Sequence, residues 1–293
     1  MFDIIGKRFW FFLISGVVVF ASIVSLATFG LKAGVEFSSG SLMMVGFTQK
    51  VDQNKVKQEL ADLGYENTLI QRTGEGDFLL RLPELSSKAK TELESQLAAK
   101  FGALEVKEFN TVSPLVATET IRNAAIAVAI SVIGILLYIA WAFRKMPNPF
   151  RYGICAVIAL IHDVIVALGT FSIMGGILGW QIDLMFVIGI LTVIGYSIND
   201  TVVIFDRIRE NLLKDKGSDF EEVVNNSLVE TLGRSLNTSL TTLFVVVALL
   251  LFVGKSIQNL AVPLLIGVTA GTYSSICIAA PLLVVWGRKV KHA

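Results

Sequence analysis

Six apolar stretches, each about the 20 residues needed to cross roughly 30 Å of hydrocarbon, constrain this 293-residue chain more than anything else in it. They run over Phe9–Leu31, Ile121–Phe143, Tyr152–Ile177, Leu184–Phe205, Ser235–Val253 and Leu260–Trp286. Stretches of that length specify a polytopic α-helical membrane protein. Only 17% of the residues are charged, against about 25% in an ordinary soluble domain. The net charge of +1 gives no reason to propose nucleic acid as a partner. Cys155 and Cys277 both fall in apolar stretches, where burial as small apolar side chains is the ordinary expectation.

Basic residues set the expected orientation. Lys7 and Arg8 precede the first span. Arg144, Lys145 and Arg151 separate the second from the third, Arg207, Arg209, Lys214 and Lys216 follow the fourth, and Arg288, Lys289 and Lys291 close the chain. The opposite loops hold no basic residue (Leu178–Asp183) or only Lys255. By the positive-inside rule both termini are expected in the cytoplasm. The first span is too long for a removable signal peptide and lacks its small-residue cleavage site, so it reads as a retained anchor.

The predicted organisation is then a cytoplasmic N-terminus with the first span (1–31), an extracytoplasmic domain (32–120), and five further spans ending in a cytoplasmic C-terminus (121–293). Within 32–120, Ser41–Gly46 reads as a strand, Lys50–Leu63 as an amphipathic helix ended at Gly64, and Thr68–Leu82 as two strands broken by Thr73-Gly74-Glu75-Gly76-Asp77. Ser86–Phe101 reads as a helix capped by Ser86 and ended at Gly102, and Leu104–Phe109 as a last strand. This β-α-β-β-α-β order predicts a small α+β ferredoxin-like domain. Between spans four and five, a segment near 215–232 with Val223, Val224, Leu228 and Leu232 on one side reads as a short amphipathic helix on the inner membrane surface. Pro263 and Pro281 are expected to kink the last span, and Gly267 with Gly271 offers a face for close helix contact.

The fourth and fifth spans depart from uniform apolarity. Thr192, Tyr196 and Asn199/Asp200 recur at helical spacing, with Thr201 beside them, and Arg234, Asn237/Thr238 and Thr241/Thr242 do the same on the next span. A charge in hydrocarbon costs from about 3 to more than 10 kcal/mol, so an intramembrane acid is a functional candidate by default. Counting at ~1.5 Å per residue, Asp200 lies roughly 26 Å past Asp183 and Arg234 roughly 32 Å before Lys255, depths that agree to about one turn. Antiparallel neighbours at that depth are expected to pair the two charges. Asp163 lies roughly 18 Å into the third span, near the midplane. His162 precedes it, but adjacent helix positions point about 100° apart, so the two are not read as a diad and His162 reads as a packed or interhelical residue.

With GVEFSSGS after the first span, IHDVIVALG in the third, GYSINDTVVIFDRIRENL in the fourth and GRSLNTSLTTL in the fifth, the whole chain resembles the SecF family of bacterial preprotein-translocase subunits. The resemblance implies the resistance-nodulation-division architecture, in which two six-span halves pack about a pseudo-twofold axis. This chain looks like one half. SecD would be the other, in a heterodimer beside the SecYEG channel, often with YajC, acting on a translocating preprotein in the bacterial inner membrane. The family assigns proton coupling to the acid of the ND pair and the arginine opening the fifth-span stripe, here Asp200 and Arg234, and also carries the acid of the HD pair, here Asp163. Tyr196, Asn199, Thr201, Asn237, Thr238 and Thr241 would form the supporting polar face. Where the family more usually reads DGG, this chain has Glu36-Phe37-Ser38-Ser39-Gly40-Ser41, taken as a turn into the first strand.

The resulting expectation is a transport subunit rather than an enzyme, with no cofactor and no metal, driven by the proton gradient. Proton passage would switch Asp200 between charged and neutral forms, making and releasing its pairing with Arg234. ATP is not implied, since no G-x-x-x-x-G-K-[ST] loop occurs. Two rivals stand beside it. One is a passive scaffold in which the pair merely locks two helices. The other is an intramembrane aspartyl protease built on Asp163 and Asp200, disfavoured because the flanking sequence is not of the GxGD type.

Overall fold

The long apolar runs fold as helices whose ends are set by ordinary local chemistry. In a computed structural model, residues 3–66, 68–72, 76–146, 148–214, 219–253 and 257–291 are described. A single 3-10 turn, Ile5–Lys7, leads into α1 (Arg8–Phe29), which stops at Gly30 with φ 65°. After the short α2 (Val35–Ser38) come β1 (Gly40–Phe47), α3 (Gln53–Asp62), β2 (Leu69–Arg72), β3 (Phe78–Leu82), α4 (Ser87–Phe101) and β4 (Leu104–Val112). The remaining helices are α5 (Pro114–Ala142), α6 (Pro149–Leu178), α7 (Leu184–Lys214), α8 (Phe220–Phe252), α9 (Gln258–Ser274) and α10 (Ala280–Lys291). A π turn, Ser275–Ala279, joins the last two. Six helices are long and apolar enough to cross a membrane, α9 through α10 counting as one, as the sequence predicts.

The chain divides into two units, Met1–Lys32 with Ala125–Ala293, and Ala33–Ala124. In the first, α6, α7 and α9 form the centre: 72% of the last span's most apolar window is buried, against 6% for α5. The α7–α9 seam is closed by glycine. A Cβ on Gly267 would lie 2.2 Å from Val193 Cγ2, and one on Gly271 would lie 2.9 Å from Ser197 Cβ. Absence of side chains at these two positions therefore permits the close approach that the Gly267/Gly271 spacing predicts. Pro263 lies inside α9. Pro281 follows the π turn by two residues. Proline removes the donor for the carbonyl four residues earlier and crowds it, here at Cys277, and a widened turn is a regular way to relieve that crowding.

The segment near 215–232 differs from its reading as a separate surface helix. Residues 215–218, including Lys216, lie outside the described residues, and Phe220 onward runs without a break into the fifth span as one 33-residue helix. Val224 and Leu228 are buried in one core with Tyr152, Phe205 and Leu283, and Val223 is buried beside them in sequence. The apolar side is covered by protein, not by the membrane surface. At its start, Asn225 Oδ1 accepts from the backbone of Ile4 at 2.9 Å and Ile5 at 3.2 Å, and Arg8 pairs with Glu221.

The second unit is a four-stranded antiparallel sheet ordered β2-β3-β1-β4, the ferredoxin-like arrangement. Alternation puts Met43, Val45, Phe78, Leu80 and Leu82 on one face, packed against Val56 and Leu60 of α3 and Leu93 and Leu97 of α4. Asp52 and Ser86 cap the two helices, accepting from Asn54 N at 2.8 Å and Ala89 N at 3.3 Å. Of the predicted turn between β2 and β3, residues 73–75 lie outside the described residues.

The segment before β1 is one helical turn, not a simple reverse turn. Ser39 has φ 59° and Gly40 φ 115°. A Cβ on Gly40 would also lie 2.6 Å from the Leu82 carbonyl oxygen, so both backbone angle and space require glycine there. Arg81 on β3 holds the turn, donating to Ala33 O at 2.8 Å and to Ser38 Oγ. Burial lowers the Arg81 pKa, while the nearby Glu36 carboxylate raises it.

Candidate functional site

Asp163 is buried at the heart of the helical unit, where α6, α7 and the last span meet. Its Oδ2 accepts from Ser197 Oγ of α7 at 2.7 Å and from Ser274 Oγ of α9 at 2.8 Å. Its Oδ1 lies 3.0 Å from His162 Nδ1. The expectation that His162 and Asp163 do not interact is therefore corrected. Adjacent helix positions point about 100° apart, yet Nδ1 and Oδ1 come within hydrogen-bond distance. Three hydrogen bonds satisfy a buried acid that would otherwise be costly in this setting.

Asp200, also buried, faces the other side of α9. Its Oδ2 accepts from Ser239 Oγ of α8 at 3.4 Å, and Ser239 shares a 2.5 Å hydrogen bond with Thr272 of α9. Thr201 bonds Ser275 at 2.8 Å. Thr272, Ser274 and Ser275 thus give α9 and its π turn hydroxyls directed at both acids' surroundings. The helix acts as a shared wall between two carboxylate sites.

The predicted Asp200–Arg234 contact is not formed as an ion pair. Arg234 is exposed, and its charge is felt at Asp200 only as a longer-range Coulomb interaction. The residue of α8 that meets Asp200 is Ser239, five positions on from Arg234, because a count of residues along the span does not fix rotation about the helix axis. On α8 the inward positions are Ser235, Ser239 and Val246, out of phase with Arg234. The same phase places Asn237 and Thr241 outside, with Thr238 and Thr241 bonded back to their own helix at Arg234 O (2.9 Å) and Thr238 O (2.8 Å).

On α7 the predicted polar face is divided. Thr201 belongs to the buried side with Asp200, whereas Asn199 is exposed and lines a groove between α5 and α7. Tyr196 is half-buried, its hydroxyl without a hydrogen-bond partner among the described residues. Ser239, Thr272 and Ser274 escape sequence reasoning because isolated hydroxyls are common in membrane helices. The one signal available for Ser274 and Ser275 is their position at the start of the Pro281-associated turn.

Among the described residues no group of three His, Cys, Asp or Glu side chains is placed to hold a metal ion. The two acids have separate sets of hydroxyl partners. Asp163 takes its serine bonds from α7 and α9, and Asp200 takes its from α8.

The family model for the C-terminal part of protein export membrane protein SecD/SecF matches residues 92–289. The chain is 43% identical to protein translocase subunit SecF of Thermobaculum terrenum, over 99% of this chain and 95% of that one. It is 37% identical to protein translocase subunit SecDF of Bacillus subtilis, over 99% of this chain and 39% of that longer one. Its structure resembles the crystal structure of SecDF, a translocon-associated membrane protein from Thermus thermophilus, with a TM-score of 0.86 and 30% identity, covering 98% of this chain and 39% of that one. The chain thus spans about two-fifths of the length of each SecDF.

Proposed function

Because this chain belongs to the SecF family of protein-translocase subunits, we propose that it forms the SecF half of a SecD–SecF pair that uses the proton motive force to promote polypeptide export. The observation that carries this reading is the pair of buried carboxylates, Asp163 and Asp200, both linked to α9: Asp163 directly through Ser274, and Asp200 through Ser239 of α8, which bonds Thr272. An ionised carboxylate only accepts hydrogen bonds. A protonated one donates from one oxygen. Proton arrival at Asp200 therefore alters its bond with Ser239 and, through Thr272, the seat of α9. Arrival at Asp163 alters the bonds from Ser197 and Ser274.

Arg234 acts in this scheme through its field rather than through a contact. Moving one charge through 100 mV releases about 2.3 kcal/mol, and a two-state equilibrium needs about 5.5 kcal/mol to pass from 1:99 to 99:1. A few protons per cycle suffice to drive a shift of α9 against α6, α7 and α8. The inserted α+β unit would deliver that motion to the emerging polypeptide. The setting is the bacterial cytoplasmic membrane, with both termini in the cytoplasm and the α+β domain of residues 32–120 outside it, next to SecYEG and YajC. The energy source is the proton gradient, with no cofactor. A proteolytic role is disfavoured because paired catalytic aspartates share a proton, whereas Asp163 and Asp200 each have their own hydroxyls.

The test is export of a secreted preprotein in cells depleted of the native subunit and supplied with wild type, Asp163→Asn or Asp200→Asn. Membrane abundance and SecD co-purification are followed in parallel. Normal abundance and SecD binding with lost export is the expected result. Normal export in both variants, or losses that track abundance, would establish a scaffold instead.

A further inference from the structure

Between α5 and α7, at the end of the helical unit that carries Arg144 and Arg209, two cavities of about 390 and 370 Å³ adjoin, sharing Ala142 and Arg209. Trp141, Arg144, Lys145 and Leu213 line the first, and Tyr138, Asp206 and Arg234 the second. The other ionic contacts near this end are largely internal. Arg8 pairs with Glu221, Arg207 with Glu210 and Glu230, and Lys214 with Glu210. Arg144, Lys145 and Arg234, by contrast, enter no ion pair among the described residues. Asp206 is the one acid in the lining, and it is engaged by Arg209 at 2.6 Å.

The aromatic rings fix the depth of these cations. The Arg144 guanidinium sits 4.8 Å from the Trp141 ring centre and that of Arg209 5.8 Å from Phe143. Trp141 is 62% exposed and Tyr138 56%, the amphipathic rings that favour the headgroup level of a bilayer. Basic pockets between membrane helices at that level suit anionic headgroups. Exposed Leu213, in the lining of the first cavity, adds apolar surface for acyl chains.

We propose that this double cavity is a binding site for an anionic phospholipid, its phosphate held by Arg144, Lys145 and Arg209 and its acyl chains laid against Tyr138 and Trp141. The site would tie the cationic side of Arg234, and through it the field at Asp200, to the charge of the surrounding lipid.

Native mass spectrometry of the purified full chain, titrated with phosphatidylglycerol or phosphatidylcholine, tests the assignment. Wild type is compared with the R144Q/K145Q double variant and with Lys90→Gln in the α+β unit as a control. The wild type and the control should prefer phosphatidylglycerol. The double variant should lose roughly 30-fold of that preference, because each basic residue at an anionic surface is worth about fivefold. Equal retention of both lipids by wild type, or an undiminished preference in the double variant, would overturn the site. Displacement of the lipid by millimolar inorganic phosphate would identify a soluble-anion site and overturn the lipid assignment.

Discussion

His162 and Asp163, neighbours in the chain, are joined through Nδ1 and Oδ1 at 3.0 Å. The contact makes His162 a support for the most buried acid of the helical unit. Asparagine carries its amide nitrogen on the same Cγ that bears Nδ1, so His162→Asn should keep the bond and His162→Ala should lose it. The alanine variant is expected to lose about 1 kcal/mol, read as a fall of roughly 2–4 °C in Tm in detergent. Equal melting of the two variants would show that the contact contributes nothing.

Ser239 should matter more than Thr241, although Thr241 belongs to the polar stripe and Ser239 does not stand out in it. Ser239 bonds both Asp200 and Thr272, whereas Thr241 bonds only its own helix. Ser239→Ala is expected to slow proton-driven export severalfold at normal abundance, and Thr241→Ala to leave it unchanged. The comparison is made in inverted membrane vesicles with an imposed proton gradient. The reverse ranking would return the site to the outward face of α8.

Filling the α7–α9 seam should destabilise the bundle. Gly267→Val drives methyl groups into Val193, and overpacking of this kind costs about 1–3 kcal/mol. Gly195→Ala on α7 is the control, since nothing lies within 4 Å of an added Cβ there. Thermal unfolding monitored by tryptophan fluorescence should separate the two variants clearly, and coincident curves would refute close packing at Gly267.

Arg81→Lys should loosen the turn that precedes β1. Lysine keeps the charge but loses the two-pronged reach to Ala33 O and Ser38 Oγ. Amide hydrogen exchange at Phe37 and Ser38, which bond back to Gly34 O at 3.1 and 3.0 Å, is expected to accelerate about tenfold or more, for a loss near 1.4 kcal/mol. Unchanged exchange would mean that Ser39 and Gly40 hold the turn by themselves.

These residues also mark how far the sequence alone is legible. Six spans could be read because hydrocarbon thickness demands a minimum apolar length, and the α+β unit because period-two strands and capped helices alternate with Gly64 and Gly102 at the joints. Asp163 and Asp200 could be read because acids inside spans have few innocent explanations. Arg234 is exposed and Ser239 takes the place expected of it beside Asp200, since neither the neighbours of Arg234 nor Asp200 fixes the roll of α8. The roll follows the whole buried stripe of α8, which starts at Val223, Val224 and Leu228 in the portion expected to be a separate segment and continues to Ser235 and Ser239. The hydroxyl partners were illegible for a different reason: a serine bonded to a carboxylate and one bonded to its own backbone look alike in one dimension.

The π turn at Ser275–Ala279 changes how the last span should be counted. One residue more than α-helical winding needs is accommodated there, and each residue advances a helix by about 100°. Ala280, Leu283 and Val284, all buried, follow that offset. The final span is therefore two helical frames in series, one keyed to Ser274 beside Asp163 and the other to Leu283. Removing a single residue between them would leave the sequence of α10 intact while turning its apolar side out of the core.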